Sequence, residues 1–435
     1  MPSCLKQFAF LVPISPDLCI GYFIDHFNPK WGKFRSWGLF SFFPQLIDFV
    51  LVFTFFPGGS KTFTIIWCCI TYGCYGAICA TLGYNAQNCQ VINMTNNIDE
   101  RASVAGMKGM FENICILLAA AVFLPLVDLM AGPQANMARG YCIAAMIFSV
   151  AAQFPILMNA RYTRKYELNY DGTYRAHLAE AKKEKSLSFF KEIQLFFCNR
   201  PAVIITMGAL IMYIVQTLRN SMTVYLFKYY FQMPEMTSIS LFFSCALSMC
   251  GALLVSRFIK LCKDSNRAFI IIAFLHSAMY SILYMWIRMS SYETARASMH
   301  FGPMFILYAF CGLFQGIYYV FPNVLMPSAV DYGLYKTKIN QSGFIYSFYG
   351  CFLTLGGAVG SFISSHLLEA TGYVAGAEQS DATLTGMLFV GILLPAILSS
   401  VHGVMQMFCG INDKKHEKWT EAILARNNVA AAGTQ

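Results

Sequence analysis

The chain has 435 residues, of which 57% are hydrophobic and only 12% charged, against roughly 25% charged in an ordinary soluble domain. That deficit leaves too little polar surface for a water-soluble fold and excludes a soluble globular enzyme. The net charge of +9 must then sit mainly on loops, where its distribution reports which side of a membrane each loop faces.

A bilayer core about 30 Å thick takes roughly 20 apolar residues in helical form, because lipid offers the backbone no hydrogen bonds. Eleven stretches reach that length, at about 5–24, 38–57, 62–84, 111–130, 138–159, 201–220, 236–259, 267–287, 301–325, 342–368 and 383–409. They predict an all-α polytopic protein with a five-span bundle over 1–159, a linker over 160–200, a six-span bundle over 201–409 and a tail over 410–435. No signal peptide is expected, since Lys6 leads into a stretch interrupted by Pro13, Pro16 and Asp17. Most cysteines lie in apolar runs, as Cys68, Cys69, Cys74 and Cys79 do, and read as helix-packing residues rather than a disulfide framework or a structural metal site.

In the first span Asp17 is a carboxylate among Pro16, Leu18 and Cys19, a placement costing about 2.5–3.5 kcal/mol on insertion scales. A cation, a proton, a solute hydroxyl or an arginine would offset that cost, and each implies a polar cavity. The alternative is a protonated Asp17 hydrogen-bonded to another helix. Next comes Gly21-x-x-x-Asp25, then Gly32, Lys33 and Arg35 between Trp31 and Trp37. This joins a small-residue helix contact, an acid and a basic turn, the chemistry of a conformational latch rather than a solute site. Asp48 is expected to point into its bundle.

With the loops assigned alternately to two sides, 24 of the 31 basic residues fall on the side holding 25–37, 85–110, 160–200, 257–267, 326–341 and the tail. The C-terminus and linker are therefore expected in the cytoplasm and the N-terminus outside. Within the linker, Ala179–Lys185 is too charged to enter lipid, and Ser188 is placed to cap a short amphipathic helix before Pro201 opens the next span. Arg219 reads either as an interfacial anchor or as a ligand for an anionic or hydroxylated solute, and His276 as a structural histidine. The basic turn Arg257 to Arg267 echoes the one in the first half. Tyr72, Tyr75, Tyr84, Tyr318, Tyr319, Tyr346 and Tyr349 lie in spans; most read as packing residues, but two facing a cavity would suit a sugar, whose faces stack and whose hydroxyls hydrogen-bond. No Walker loop, HExxH or GxSxG grouping occurs, which argues against ATP-driven pumping and covalent catalysis.

Across nearly the whole sequence several marks resemble the glycoside–pentoside–hexuronide cation symporters, the melibiose-carrier group of the major facilitator superfamily. They are Asp17-x-x-x-Gly21 with Trp31-Gly32-Lys33-Phe34-Arg35-x-Trp37; Asp99-Glu100-Arg101; Asn199-Arg200-Pro201; Asp331-Tyr332-Gly333-x-Tyr335-Lys336; and Gly372-Tyr373 with Glu378-Gln379-Ser380. The resemblance implies a two-bundle carrier binding sugar at mid-membrane, with the family's first of twelve helices absent, since Met1 falls near the start of the second. It implies solute or cation contacts for Asp17, Thr81, Tyr84, Tyr319, Tyr349 and Thr354, to which Arg219 is added from its own chemistry. At positions where the melibiose carrier is charged, this chain has Pro13, Tyr84, Gly109, Ser328 and Thr354, which implies altered coupling. Asp17 is left to hold a proton, or a sodium ion near it. The expectation is a monomeric secondary transporter of a sugar or glycoside in the cell membrane, with a small-molecule solute, lipid around it, no nucleic acid and no cofactor beyond the coupling ion. The alternatives are a same-fold carrier of a lysolipid or nucleoside, and a transport-dead sensor or scaffold.

Overall fold

The computed structural model describes residues 14–27, 29, 31–54, 56, 60–95, 97–132, 136–168, 188–374 and 377–432. Pro13, the start of the first expected span and Ala179–Lys185 lie outside the described residues. Before the linker come α1 (Ile14–His26), α2 (Lys33–Val52), α3 (Lys61–Cys74), α4 (Thr81–Met94), α5 (Ile98–Ala131) and α6 (Met137–Tyr162). After it come α7 (Phe189–Cys198), α8 (Arg200–Tyr225), α9 (Met236–Cys262), α10 (Ser265–Met289), α11 (Pro303–Thr337), α12 (Ser342–Ala370), α13 (Asp381–Leu388), α14 (Leu394–Met407) and α15 (Asp413–Ala432). A π-turn at Tyr75–Ala80 makes α3 and α4 one continuous rod, and Phe389–Leu393 does the same for α13 and α14. Among the described residues nine such helices are long and apolar enough to cross a membrane; α1 and α2 add 13 and 20 residues where two further spans are expected.

Local sequence sets the helix starts. Ser60 Oγ accepts from Phe63 N at 3.1 Å, Asn97 Oδ1 from Asp99 N at 2.8 Å, Asn199 Oδ1 from Ala202 N at 3.2 Å and Asp264 Oδ1 from Arg267 N at 2.8 Å, each satisfying an amide that has no partner within its own helix. Pro201 stands in the first turn of α8, as its missing N–H allows. Ser188 does occupy the N-cap position of α7, but its hydroxyl makes no capping bond.

The helices depart from the sequence expectation mainly at the end of the molecule that carries the tail helix and the described basic turns. Residues 85–110 are not a loop: α4 runs to Met94 and α5 starts at Ile98. Likewise α2 begins at Lys33 and α11 continues to Thr337. Charged residues end an apolar run in sequence, but these helices project past the hydrocarbon and carry the charges on their extensions, α5 alone reaching about 50 Å at 1.5 Å per residue.

Small residues allow the closest packing. Gly251, Gly312 and Gly316 lie against Leu313, Ser244 and Ser248 across the α9–α11 contact, where tight backbone approach replaces the hydrophobic drive that lipid cannot supply. Helices before and after the linker meet where α1 and α4 pack on α12, and α5 packs on α9 and α11.

Candidate functional site

A cavity of about 460 Å³ lies between the α4 rod, α8 and α12. Helical periodicity builds its walls: Tyr213, Gln216, Thr217 and Asn220 form one stripe of α8, and Gly350, Leu353, Thr354 and Gly357 one stripe of α12. The facing wall carries Thr81, Tyr84 and Asn85 just beyond the π-turn, where an extra residue in the helical turn shifts which side chains face inward. None of the lining residues is charged; the wall offers hydroxyls, amides and two tyrosines.

Of the expected site residues, Thr81, Tyr84 and Thr354 line the cavity. Asp17 stands one layer behind, buried, with Oδ1 unpartnered among the described residues and the Thr81 hydroxyl as a polar neighbour. Tyr349 is buried beside Tyr346, and Tyr319 has a buried hydroxyl without a partner. Neither forms part of the cavity lining.

Arg219 is not an interfacial anchor. The helix runs on beyond it, so its guanidinium is buried behind the α8 stripe, donating to Ser244 Oγ and Tyr280 OH, each at 3.3 Å, and to Asn220 Oδ1 at 3.2 Å. His276 bonds Ser399 at 3.0 Å and stacks on Tyr318. Asp48 faces Cys79 Sγ at 3.6 Å, away from the cavity. Gln216, Thr217, Tyr213, Asn220 and Asn85 were absent from the sequence expectation; the spacing 213, 216, 217, 220 is the signal that would have found the first four.

The expected latch residues gather at the basic end. Asp25 on α1 accepts from Gly343 N at 2.9 Å and Phe344 N at 2.8 Å, capping α12 from across the seam, and pairs with buried Lys33 at 3.3 Å. Gly21 lies against Ser347 and Gly343, so any Cβ there would collide with them. Glu167 caps α2 through Phe34 N at 3.2 Å and Arg35 N at 3.3 Å, and Arg35 donates to Ala160 O and to Trp31 O. Gly32, at φ 111°, stands against Glu167 where a side chain would be strained and blocked. A second tie, missed in the sequence, joins Arg101 of α5 to Asp331 of α11 at 2.8 Å, with His416 of α15 on the same carboxylate oxygen at 2.8 Å.

The amphipathic α7 closes over this seam. Its Glu192 is buried, with Oε2 unpartnered, Oε1 3.7 Å from His26 Nδ1, and Asp25 and Lys33 close enough to act on its charge; Gln341 donates to its backbone oxygen at 3.4 Å. Burial first, then the Asp25 charge, only partly offset by Lys33, pushes the Glu192 carboxyl up to about 8 from 4.5. The closed seam thus binds this proton more tightly than an open, hydrated one, so closure is favoured most below pH 4.5 and the preference is lost as pH rises to about 8. Labelling of a cysteine placed at position 342 should accelerate by up to about tenfold per pH unit in this window. In Glu192→Gln the added acceleration, measured against the parent at each pH, should vanish.

The comparisons agree with this architecture. The family model described as MFS/sugar transport protein matches residues 8–413. The chain is 26% identical to a putative sulfoquinovose importer of Escherichia coli K12, over 99% of this chain and 88% of that protein. It is 23% identical to an isoprimeverose transporter of Lactiplantibacillus pentosus, over 89% and 76%. Among solved structures, the major facilitator transporter FucP in its outward conformation superposes with a TM-score of 0.63 at 12% identity, covering 94% of this chain and 90% of FucP. The chain belongs to the MFS/sugar transport protein family, as a secondary transporter of the sugar class and not an enzyme.

Proposed function

We propose that the protein is a carrier of a neutral sugar or glycoside in the cell membrane, working by alternating access between two bundles, 1–159 and 201–409, with linker and C-terminus in the cytoplasm. The observation that carries this reading is the uncharged, hydroxyl- and amide-rich wall of the cavity between α4, α8 and α12. Its volume of about 460 Å³ is within the usual range of small-molecule sites, and tyrosine rings with neutral donors and acceptors suit polyhydroxylated faces. The relatives' printed solutes, a sulfoquinovose and an isoprimeverose, support the sugar class. The marks shared with the melibiose-carrier group support membership of that subfamily, and the excess of basic loops on one side supports the orientation. The cross-seam contacts at the basic end support reading this state as closed toward the cytoplasm.

Counterflow in proteoliposomes tests the reading. Internal methyl glycosides should trans-stimulate uptake of a labelled glycoside, while nucleosides and lysolipids should not. Trans-stimulation by nucleosides or lysolipids alone would overturn it. Gly21→Leu should slow exchange at least about tenfold with little change in equilibrium affinity, because it wedges α1 from α12 without touching the cavity; a comparable loss of binding in folded protein would place that contact in the solute site.

A further inference from the structure

We infer that Asn220 is a specificity-determining residue of the cavity, donating a hydrogen bond to the solute, and that Arg219 is the positioning residue that fixes its amide. The inference rests on the sugar-carrier reading. Asn220 belongs to the α8 stripe that lines the cavity, whereas Arg219, one position earlier, turns about 100° away into the packing of α9 and α10. Guanidinium has donors only. The atom of Asn220 that meets Arg219 Nη2 at 3.2 Å must therefore be the carbonyl oxygen, which leaves the NH₂ group facing the cavity. Among the described residues no protein acceptor takes it. A solute group that meets Asn220 has to accept.

Arg219 itself is 7% exposed, and no carboxylate is among its hydrogen-bond partners. A buried cation without a counter-charge is expensive; holding one amide in one orientation is a role that a neutral side chain fills less well, because a neutral amide or hydroxyl can also accept. Across the cavity the second amide is withdrawn into the packing against α12, with Asn85 0% exposed. Asn85 gives its NH₂ to Ser347 Oγ at 2.9 Å and keeps an unpartnered oxygen. The accessible amide of the pair is therefore that of Asn220, whose fixed NH₂ selects solute groups that accept a hydrogen bond.

The test is the affinity ratio between a sugar and its fluorinated analogue, since fluorine accepts weakly and cannot donate. The wild-type protein is screened in nanodiscs with methyl glycosides of D-glucose, D-galactose and D-xylose, followed by the monodeoxy and monodeoxyfluoro derivatives of the best binder. At one ring position the fluoro analogue should bind within about threefold of its parent while the deoxy analogue is weakened about tenfold or more, as expected when a polar group of the site loses its partner. Asn220→Asp offers only acceptors, and at that position alone it should reject the fluoro analogue at least about tenfold relative to the parent sugar. Arg219→Glu leaves Asn220 in place but accepts from its NH₂, turning the oxygen to the cavity, and should show the same reversal; Arg219→Lys, again a donor only, should keep the wild-type ratio. Asn220→Asp gains an ion pair with Arg219 and should retain the wild-type melting temperature, so the ratio stays readable if Arg219→Glu does not fold. Ratios unchanged within about twofold in a folded Asn220→Asp that still binds the parent sugar would overturn the inference and leave the carrier reading standing. A folded wild type that binds no sugar of the panel would sink both.

Discussion

Asp25→Ala should unlatch the basic end. The carboxylate caps two amides at the start of α12 and neutralises Lys33, which is 5% exposed. Removing one partner of a buried pair typically costs about 3–5 kcal/mol, because the other charge stays desolvated. Taking even the lower figure, the closed arrangement loses on the order of 100-fold in population relative to an open one in which Lys33 reaches water. Asp25→Asn, which keeps one acceptor for the helix amides, should lie between. The distance between spin labels on the basic-end turns of α1 and α12 reports the equilibrium. A closed-state distance distribution unchanged in Asp25→Ala, in protein that folds normally, would show that the Arg101–Asp331 tie and the α5–α9 packing hold the seam unaided. Breaking the Arg101–Asp331 pair as well would then be the informative double variant.

The second large effect is expected at Asp17. A sodium ion needs several oxygen ligands and at least one close negative charge, whereas among the described residues the one oxygen named beside Asp17 is the hydroxyl of Thr81, which lines the cavity. One buried carboxylate next to a solute wall suits a proton that loads with the sugar and leaves with it. Asp17→Asn, nearly isosteric and unable to lose that proton, should keep downhill exchange while abolishing accumulation driven by a pH gradient. Wild-type uptake should likewise answer a pH gradient more than a sodium gradient. If accumulation follows sodium and persists in Asp17→Asn, another group carries the coupling.

Much of the scaffold was legible because its physics is local. Apolar length fixes a span, and Pro201 marks the start of α8. Legibility failed where charges are neutralised at long range. Arg101 reads as a loop residue until Asp331, 230 residues away, and His416 appear beside it, and with it the helical nature of 85–110 was lost. The same limit applied at the cavity. Thr81, Tyr84 and Thr354 came from family likeness, while the α8 stripe went unread because its residues are polar without being charged and the eye goes first to Arg219. That arginine was misplaced for a simple reason: the span was ended at 220, but α8 continues to Tyr225, which moves residue 219 from the membrane surface into the packed interior.

The tail helix gives the seam a handle at the basic end of the molecule. His416 holds the same Asp331 oxygen that Arg101 holds, and Trp419 packs against Tyr332 and Tyr335, so α15 rides on α11 while facing the start of α5 across a groove of about 420 Å³. Opening the seam must widen that groove, whose rim includes Asn97 and Asp99 on one side and Glu417 and Glu421 on the other. A nanobody or designed clasp that grips both rims should arrest the cycle from the aqueous phase, without entering the bilayer or competing for the sugar.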